Sequence, residues 1–222
     1  MKTLFLNRHH EFKQLAALTL LCFCLLGLRM KISHDFFMLF LVWNLFLAFV
    51  PYVLVARLRF RESVTTTNLI VTGSIWLAFL PNAPYLLTDL IHIKHASSNW
   101  IVYESLLILS FSLTGLFLGF LSLRDMTQLL IEKNWLPDKK WIDIFQNSIL
   151  LLCGYGIYLG RVLRWNTWDI IQHPEKLFLD MVDLFIHPFS QQDAWLMIAS
   201  ISLFLIVIFH LFKSVNETTT TT

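Results

Sequence analysis

The chain has 222 residues, of which 56% are hydrophobic and only 14% charged; a soluble domain carries about 25% charged residues, so the composition excludes an ordinary water-soluble monomer. A net charge of +2 with no long basic run excludes nucleic acid as a partner. The natural solvent is lipid, and membrane lipids are the expected partners.

A hydrocarbon core about 30 Å thick needs about 20 apolar residues as a helix. Six runs meet or approach that requirement, at 15–28, 36–56, 69–87, 101–123, 144–163 and 194–212. They are continuous and lack the alternation of a barrel strand. The expectation is an all-α polytopic membrane bundle, with 1–222 as a single membrane domain. The first run is short and flanked by Lys13 and Arg29, as in a signal peptide. No small-x-small cleavage site follows it, so it reads as a retained span whose flanking cations snorkel.

The second run contains Trp43, Asn44 and Pro51, with Asn44 suited to an interhelical hydrogen bond. The third carries Pro81-Asn82-Ala83-Pro84. Two prolines remove two backbone donors and crowd the preceding turn, so the helix must kink or break. Asn82 is expected to cap a new helix with Pro84 in its first turn. Tyr85, Asp89 and His92 would then share one face. The fourth run carries Glu104 about one turn inside its start. An ionised group within a span costs about 2.5–3.5 kcal/mol on insertion scales, so a partner is expected. Arg161 or Arg164 is the expected one, with Asp89 competing for it. The fifth run ends in Gly160-Arg161, followed by Arg164, Trp165, Trp168 and Asp169. If helical, Arg161, Arg164, Trp165 and Trp168 lie on one face. Between the last two runs, Pro174 opens an amphipathic interfacial helix over 174–187, with Lys176, Asp180, Asp183 and His187 in one polar stripe and Pro188 as its stop; it is expected to lie on the outer membrane surface or over the bundle.

Lys and Arg are unevenly shared between the two sides of such a bundle. One side holds eleven: Lys2, Arg8, Lys13, Arg57, Arg59, Arg61, Arg124, Lys133, Lys139, Lys140 and Lys213. The other holds six: Arg29, Lys31, Lys94, Arg161, Arg164 and Lys176. The richer side is expected to be cytoplasmic. Both termini then lie inside, and Asp89, Glu104 and Arg161 lie at the outer end.

Asn82, Tyr85, Asp89, His92, Glu104, Arg161, Arg164, Trp168 and Asp169 are therefore candidates for an outer-face ligand site. Two arginines can grip a phosphate or a carboxylate. The plainer reading is that Asp89 and His92 only reach interfacial water, and that Trp beside Arg is anchoring chemistry. Asp89 with His92 and Asp183 with His187 are helical-face pairs that could ligate a divalent metal, but the spacings are common by chance and no metal is expected. Cys22, Cys24 and Cys153 lie in apolar runs without zinc spacing and read as apolar fillers. No glycine loop for a nucleotide, no nucleophile elbow and no HExxH are present, so no cofactor is expected.

Leu80-Pro81-Asn82-Ala83-Pro84-Tyr85, Thr88-Asp89-Leu90 with His92, and Gly160-Arg161 with Arg164-Trp165-Asn166-Thr167-Trp168-Asp169 together resemble the bacterial membrane proteins grouped as domain of unknown function 1361. Trp43-Asn44-Leu45 and Pro51 fit the same family. The resemblance runs from about 36 to 212. It implies a multi-pass bacterial membrane protein and supplies no catalytic residue.

Three functions remain open. The first is a binding or transport module for a small anion or lipid head group. The second is a structural or assembly protein whose polar cluster only locks helices. The third is a membrane enzyme on a lipid-linked substrate, with Asp89 or His92 as general base and Arg161 and Arg164 on its phosphate.

Overall fold

A computed structural model describes residues 9–61, 63–95 and 100–219; Lys2 and Arg8 lie outside them. The described residues form helices α1 (His9–Ser33), α2 (Phe40–Arg59, entered through a 3-10 turn at Phe37–Leu39), α3 (Thr66–Phe79) and α4 (Asn82–Tyr85), which runs into a 3-10 stretch at Leu86–His95. Then follow α5 (Ile101–Glu132), α6 (Lys139–Arg161), α7 (Asp169–Gln172), α8 (Pro174–Ile186) and α9 (Gln192–Thr219). Among the described residues six stretches are long and apolar enough to cross a membrane: Glu11–Ser33, Phe37–Arg59, Thr66–Ile93, Ile101–Glu132, Lys139–Arg161 and Gln192–Val215. The architecture is an all-α polytopic bundle. It divides into two compact units, Met1–Met126 and Thr127–Thr222, with the boundary inside α5.

The first and fourth spans run longer than their apolar cores, because the charges that would have ended them are paired. In the first unit Arg29 near the end of α1 meets Glu104 near the start of α5, 2.8 Å apart. Glu11 near the start of α1 meets Arg124 far along α5 through two bonds of 2.7 and 2.9 Å. The two helices are thus antiparallel and clamped at both ends. At 1.5 Å per residue, the clamps lie about 27 Å apart along α1 and about 30 Å along α5. That is the thickness of a hydrocarbon core. Between them Cys22 Sγ meets Thr114 Oγ1 at 3.3 Å, Tyr103 donates to the carbonyl of Leu25 at 2.6 Å, and Phe23 meets Phe111 edge to face.

The proline break docks on the same helix. A Cβ on Gly115 would stand 2.5 Å from the carbonyl oxygen of Ala83, and one on Gly119 would stand 3.0 Å from the Ala83 Cβ. Small residues four apart let backbones approach this closely. Ser112 Oγ donates to the carbonyl of Leu86 at 2.7 Å, and the Trp76 indole N–H donates to Ser122 Oγ at 2.7 Å. Ser112, Gly115, Gly119 and Ser122 therefore form one stripe that receives the irregular backbone. Non-helical backbone at membrane depth is tolerated where protein covers it.

In the second unit α6 and α9 pack closely at Gly154, where a Cβ would collide with Ser202 Oγ and stand 3.0 Å from the carbonyl of Ile198. Asn147 and His210 meet at 3.1 Å, and Lys213 reaches Gln146 at 3.3 Å and Asp143 at 3.5 Å. Leu184 of α8 is buried among Tyr158, Ala194 and Ile198, the ends of α6 and α9.

Candidate functional site

The sequence-derived candidates fall in both units, and each group is built differently. In the first unit the helix after the break is not the one expected. Only Asn82–Tyr85 is α-helical, and Leu86–His95 winds as a 3-10 helix. Asn82 does not act as an N-cap; its side-chain amide donates back to the carbonyl of Phe79 at 2.9 Å, satisfying the end of α3. With three residues per turn, positions three apart eclipse. Asp89 and His92 keep a common side, joined by Leu86, while Tyr85 turns away from it. Leu86 and Asp89 are buried accordingly. A 3-10 run of ten residues is unusual, since such helices rarely exceed three or four. Thr88 Oγ1 bonds the carbonyl of Tyr85 at 2.7 Å and helps hold it.

Asp89 is 1% exposed, and its Oδ2 accepts from Asn44 Nδ2 at 2.9 Å. Asn44 therefore forms the interhelical bond that its position in the second run suggested. His92 packs its ring against Phe40 and Phe37, at centroid distances of 4.9 and 5.9 Å.

Glu104 differs from expectation. Its partner is Arg29, not Arg161 or Arg164. Nε and Nη2 of Arg29 both donate to Glu104 Oε1, at 3.2 and 2.8 Å. Nη1 and Nη2 also bond the carbonyl and the carboxylate of Asp35, at 3.0 and 3.1 Å. Arg29 is 6% exposed, so it does not snorkel. The planar fork satisfies two acids and a carbonyl at once, which makes burial of the pair tolerable. Asp35 lies in the connection after α1. The backbone N–H of Phe37 and then the Arg29 guanidinium hold its carboxyl below the usual range. Sequence reading missed Arg29, because a cation just beyond a short apolar run has the signature of a snorkelling flank.

In the second unit α6 stops at Arg161, so Arg161, Arg164, Trp165 and Trp168 do not share a helical face. The chain turns through Arg164 in the left-handed region, φ 62°. The Trp165 N–H closes the helix end on the carbonyl of Leu159 at 3.1 Å, and its indole donates to Asp180 Oδ2 of α8 at 2.9 Å. The Asp169 carboxylate accepts the backbone N–H of Asn166 at 2.6 Å. These bonds cost the helix its next turn and set Arg164 and Trp168 outward, both exposed. Gln191 donates to Asp183 at 2.6 Å, and His187 lies 3.8 Å from the same carboxylate. Among the described residues no group of three or more His, Cys, Asp or Glu is gathered. Gln146, buried at 3% exposure, was not singled out from the sequence, because one amide in an apolar run looks like a tolerated interruption.

The family model described as a protein of unknown function, DUF1361, matches residues 43–208. The chain belongs to that family. The match takes in Asn44, the proline break, Glu104, Arg161, Arg164 and all of α8, and leaves out Arg29. No curated protein and no solved structure matches the chain.

Proposed function

We propose that the chain is a multi-pass protein of the bacterial cell membrane, both termini cytoplasmic, that holds a small anion or a lipid head group at its outer face. The observation that carries this reading is the end of α6. Arg161 ends the helix there, and the chain continues through the exposed, left-handed Arg164 to exposed Trp168. Two arginines three positions apart, followed by an exposed indole, at a membrane boundary are chemistry that suits a phosphate. Asp89 and Glu104 then serve the scaffold instead of the ligand. The Arg29–Glu104 pair and the docked break favour a second reading, in which helix locking is the whole role.

The test is binding of phosphatidylglycerol, phosphatidylcholine and inorganic phosphate to the purified full chain, followed by native mass spectrometry. Phosphatidylglycerol is expected to bind in preference to phosphatidylcholine, and Arg161→Gln/Arg164→Gln to weaken it at least about tenfold, the loss of one or two charge-assisted bonds. Competition by inorganic phosphate would identify a small-anion site; its absence would identify a head group. Asp89→Asn should keep the binding and lower the melting temperature. Equal affinity in the double variant, or equal binding of the two lipids, leaves only the helix-locking reading.

A further inference from the structure

Helix α8 presents three different sectors around its axis. Leu184 faces the protein, buried among Tyr158, Ala194 and Ile198. Lys176, Asp180, Asp183 and His187 follow one another along one flank at helical spacing, with the Trp165 and Gln191 bonds on it. Phe178, Leu179, Phe185 and Ile186 occupy the remaining side, 61–65% exposed, and Phe189 just beyond the helix is 87% exposed. A connection in water would not present that much aromatic surface. Two facts identify what covers it.

The first is depth. Leu184 shares one buried cluster with Tyr158, three residues before the last residue of α6, and Ile198, six residues after the first residue of α9. At 1.5 Å per residue α8 therefore sits about 5–9 Å inside the ends of the two spans it joins. An amphipathic helix at a membrane surface buries its apolar face about 5–10 Å into the boundary between head groups and acyl chains. The second is the order of the sectors. The polar flank lies between the protein side and the apolar side on one edge only. A helix lying flat beside a bundle needs that order, with protein on one side, water above and lipid below and outward. A protein partner or a second copy would require no polar flank in that position.

We infer that α8 with Phe189 is an interfacial helix whose apolar sector is covered by the acyl chains of the leaflet at that end of the two spans. Both its ends are tethered by spans, so its depth is fixed by the fold. The inference stands whether or not Arg161 and Arg164 hold an anion.

The experiment places a nitroxide label at Leu179→Cys, Phe189→Cys and Lys176→Cys, each in a Cys24→Ser chain, since Cys22 and Cys153 are buried. The labelled full chains are reconstituted in phosphatidylcholine–phosphatidylglycerol vesicles, and collisions with oxygen and with a water-soluble nickel chelate are compared. Oxygen should dominate at positions 179 and 189, and nickel at 176. Nickel access at 179 and 189 would put the sector in water and overturn the inference. Labels there that are immobile and shielded from both reagents, or broadened by a second nitroxide, would show a protein cover and overturn it equally. All three positions are exposed, and the unlabelled chains should melt as the parent does.

Discussion

The two compact units solve the same problem in opposite ways. Each must place polar groups in an apolar solvent. The first unit buries its charges and pairs them: Arg29 and Glu104 are each about 7% exposed at the side chain, and Asp89 is closed over by Asn44. It also buries irregular backbone, against Ser112, Gly115 and Gly119. The second unit keeps Lys213 beside Asp143 within its spans but carries Asp180, Asp183 and Arg164 exposed in the connection between α6 and α9, outside the candidate spans. Buried pairs and close backbone contacts tolerate little change, while exposed charges near water are worth about 0–1 kcal/mol. The first unit is built to hold a shape and the second to present a surface.

The largest test of that contrast is the buried pair. Glu104→Gln should destabilise the protein by about 3–5 kcal/mol, or roughly 10 °C in melting temperature, since it leaves the Arg29 charge without its main counterion. Arg29→Met combined with Glu104→Leu should recover most of the loss, because a buried ion pair replaced by apolar groups is often neutral. A single variant that melts like the parent would mean that water reaches the pair, and the contrast between the units would weaken.

Glycine positions sharpen the comparison at the next level. Gly115→Ala drives a methyl into the Ala83 carbonyl, which belongs to backbone and cannot rotate away. It should cost about 1–3 kcal/mol. Gly154→Ala meets first the Ser202 hydroxyl, a side chain that can turn, and should cost less. Gly27 has nothing within 4 Å of a new Cβ, so Gly27→Ala should be neutral or slightly stabilising through helix propensity. Thermal melting of the three variants in one detergent gives the order. A Gly115 variant no worse than the Gly27 one would show that the break is not seated on α5.

The sequence revealed the six spans because apolar length is a one-dimensional signal, and it revealed the break because Pro81 and Pro84 have no other outcome inside a span. It also located α8, whose start at Pro174 and stop before Pro188 are local chemistry. Side-chain pairing was harder to read. Glu104 demanded a partner, but which of several cations at that end supplies it depends on which helices are neighbours, and α1 being beside α5 is a tertiary fact. Arg29 precedes the stretch that carries the family's motifs, so the resemblance could not point to it either. The face shared by Tyr85, Asp89 and His92 failed for a different reason. The spacing assumed 3.6 residues per turn, and Leu86–His95 uses about three. Arg164 and Trp168 failed in the same way, since a left-handed residue ended the helix that would have aligned them.

The smallest effect is expected where the second unit departs from its own rule. Trp195 is packed against the cluster of Leu184 near the start of α9, with Phe185 edge-on to its ring at 5.3 Å. Among the described residues its buried Nε1 meets no acceptor. An unmade buried hydrogen bond costs about 1–3 kcal/mol, while removing the donor altogether can be neutral or stabilising. Trp195→Phe keeps an aromatic ring for Phe185 and removes the donor, at the expense of some packed surface. The two changes oppose each other, so the melting temperature should stay within about 1 kcal/mol of the parent in detergent. A larger fall in detergent would mean that the lost packed surface outweighs the removed donor. Lipid carbonyls lie at that depth of a bilayer and are absent from a detergent micelle, so repeating the melt in lipid nanodiscs decides the matter: a penalty confined to nanodiscs would make Trp195 a lipid contact, and one present in both would make it a packing residue.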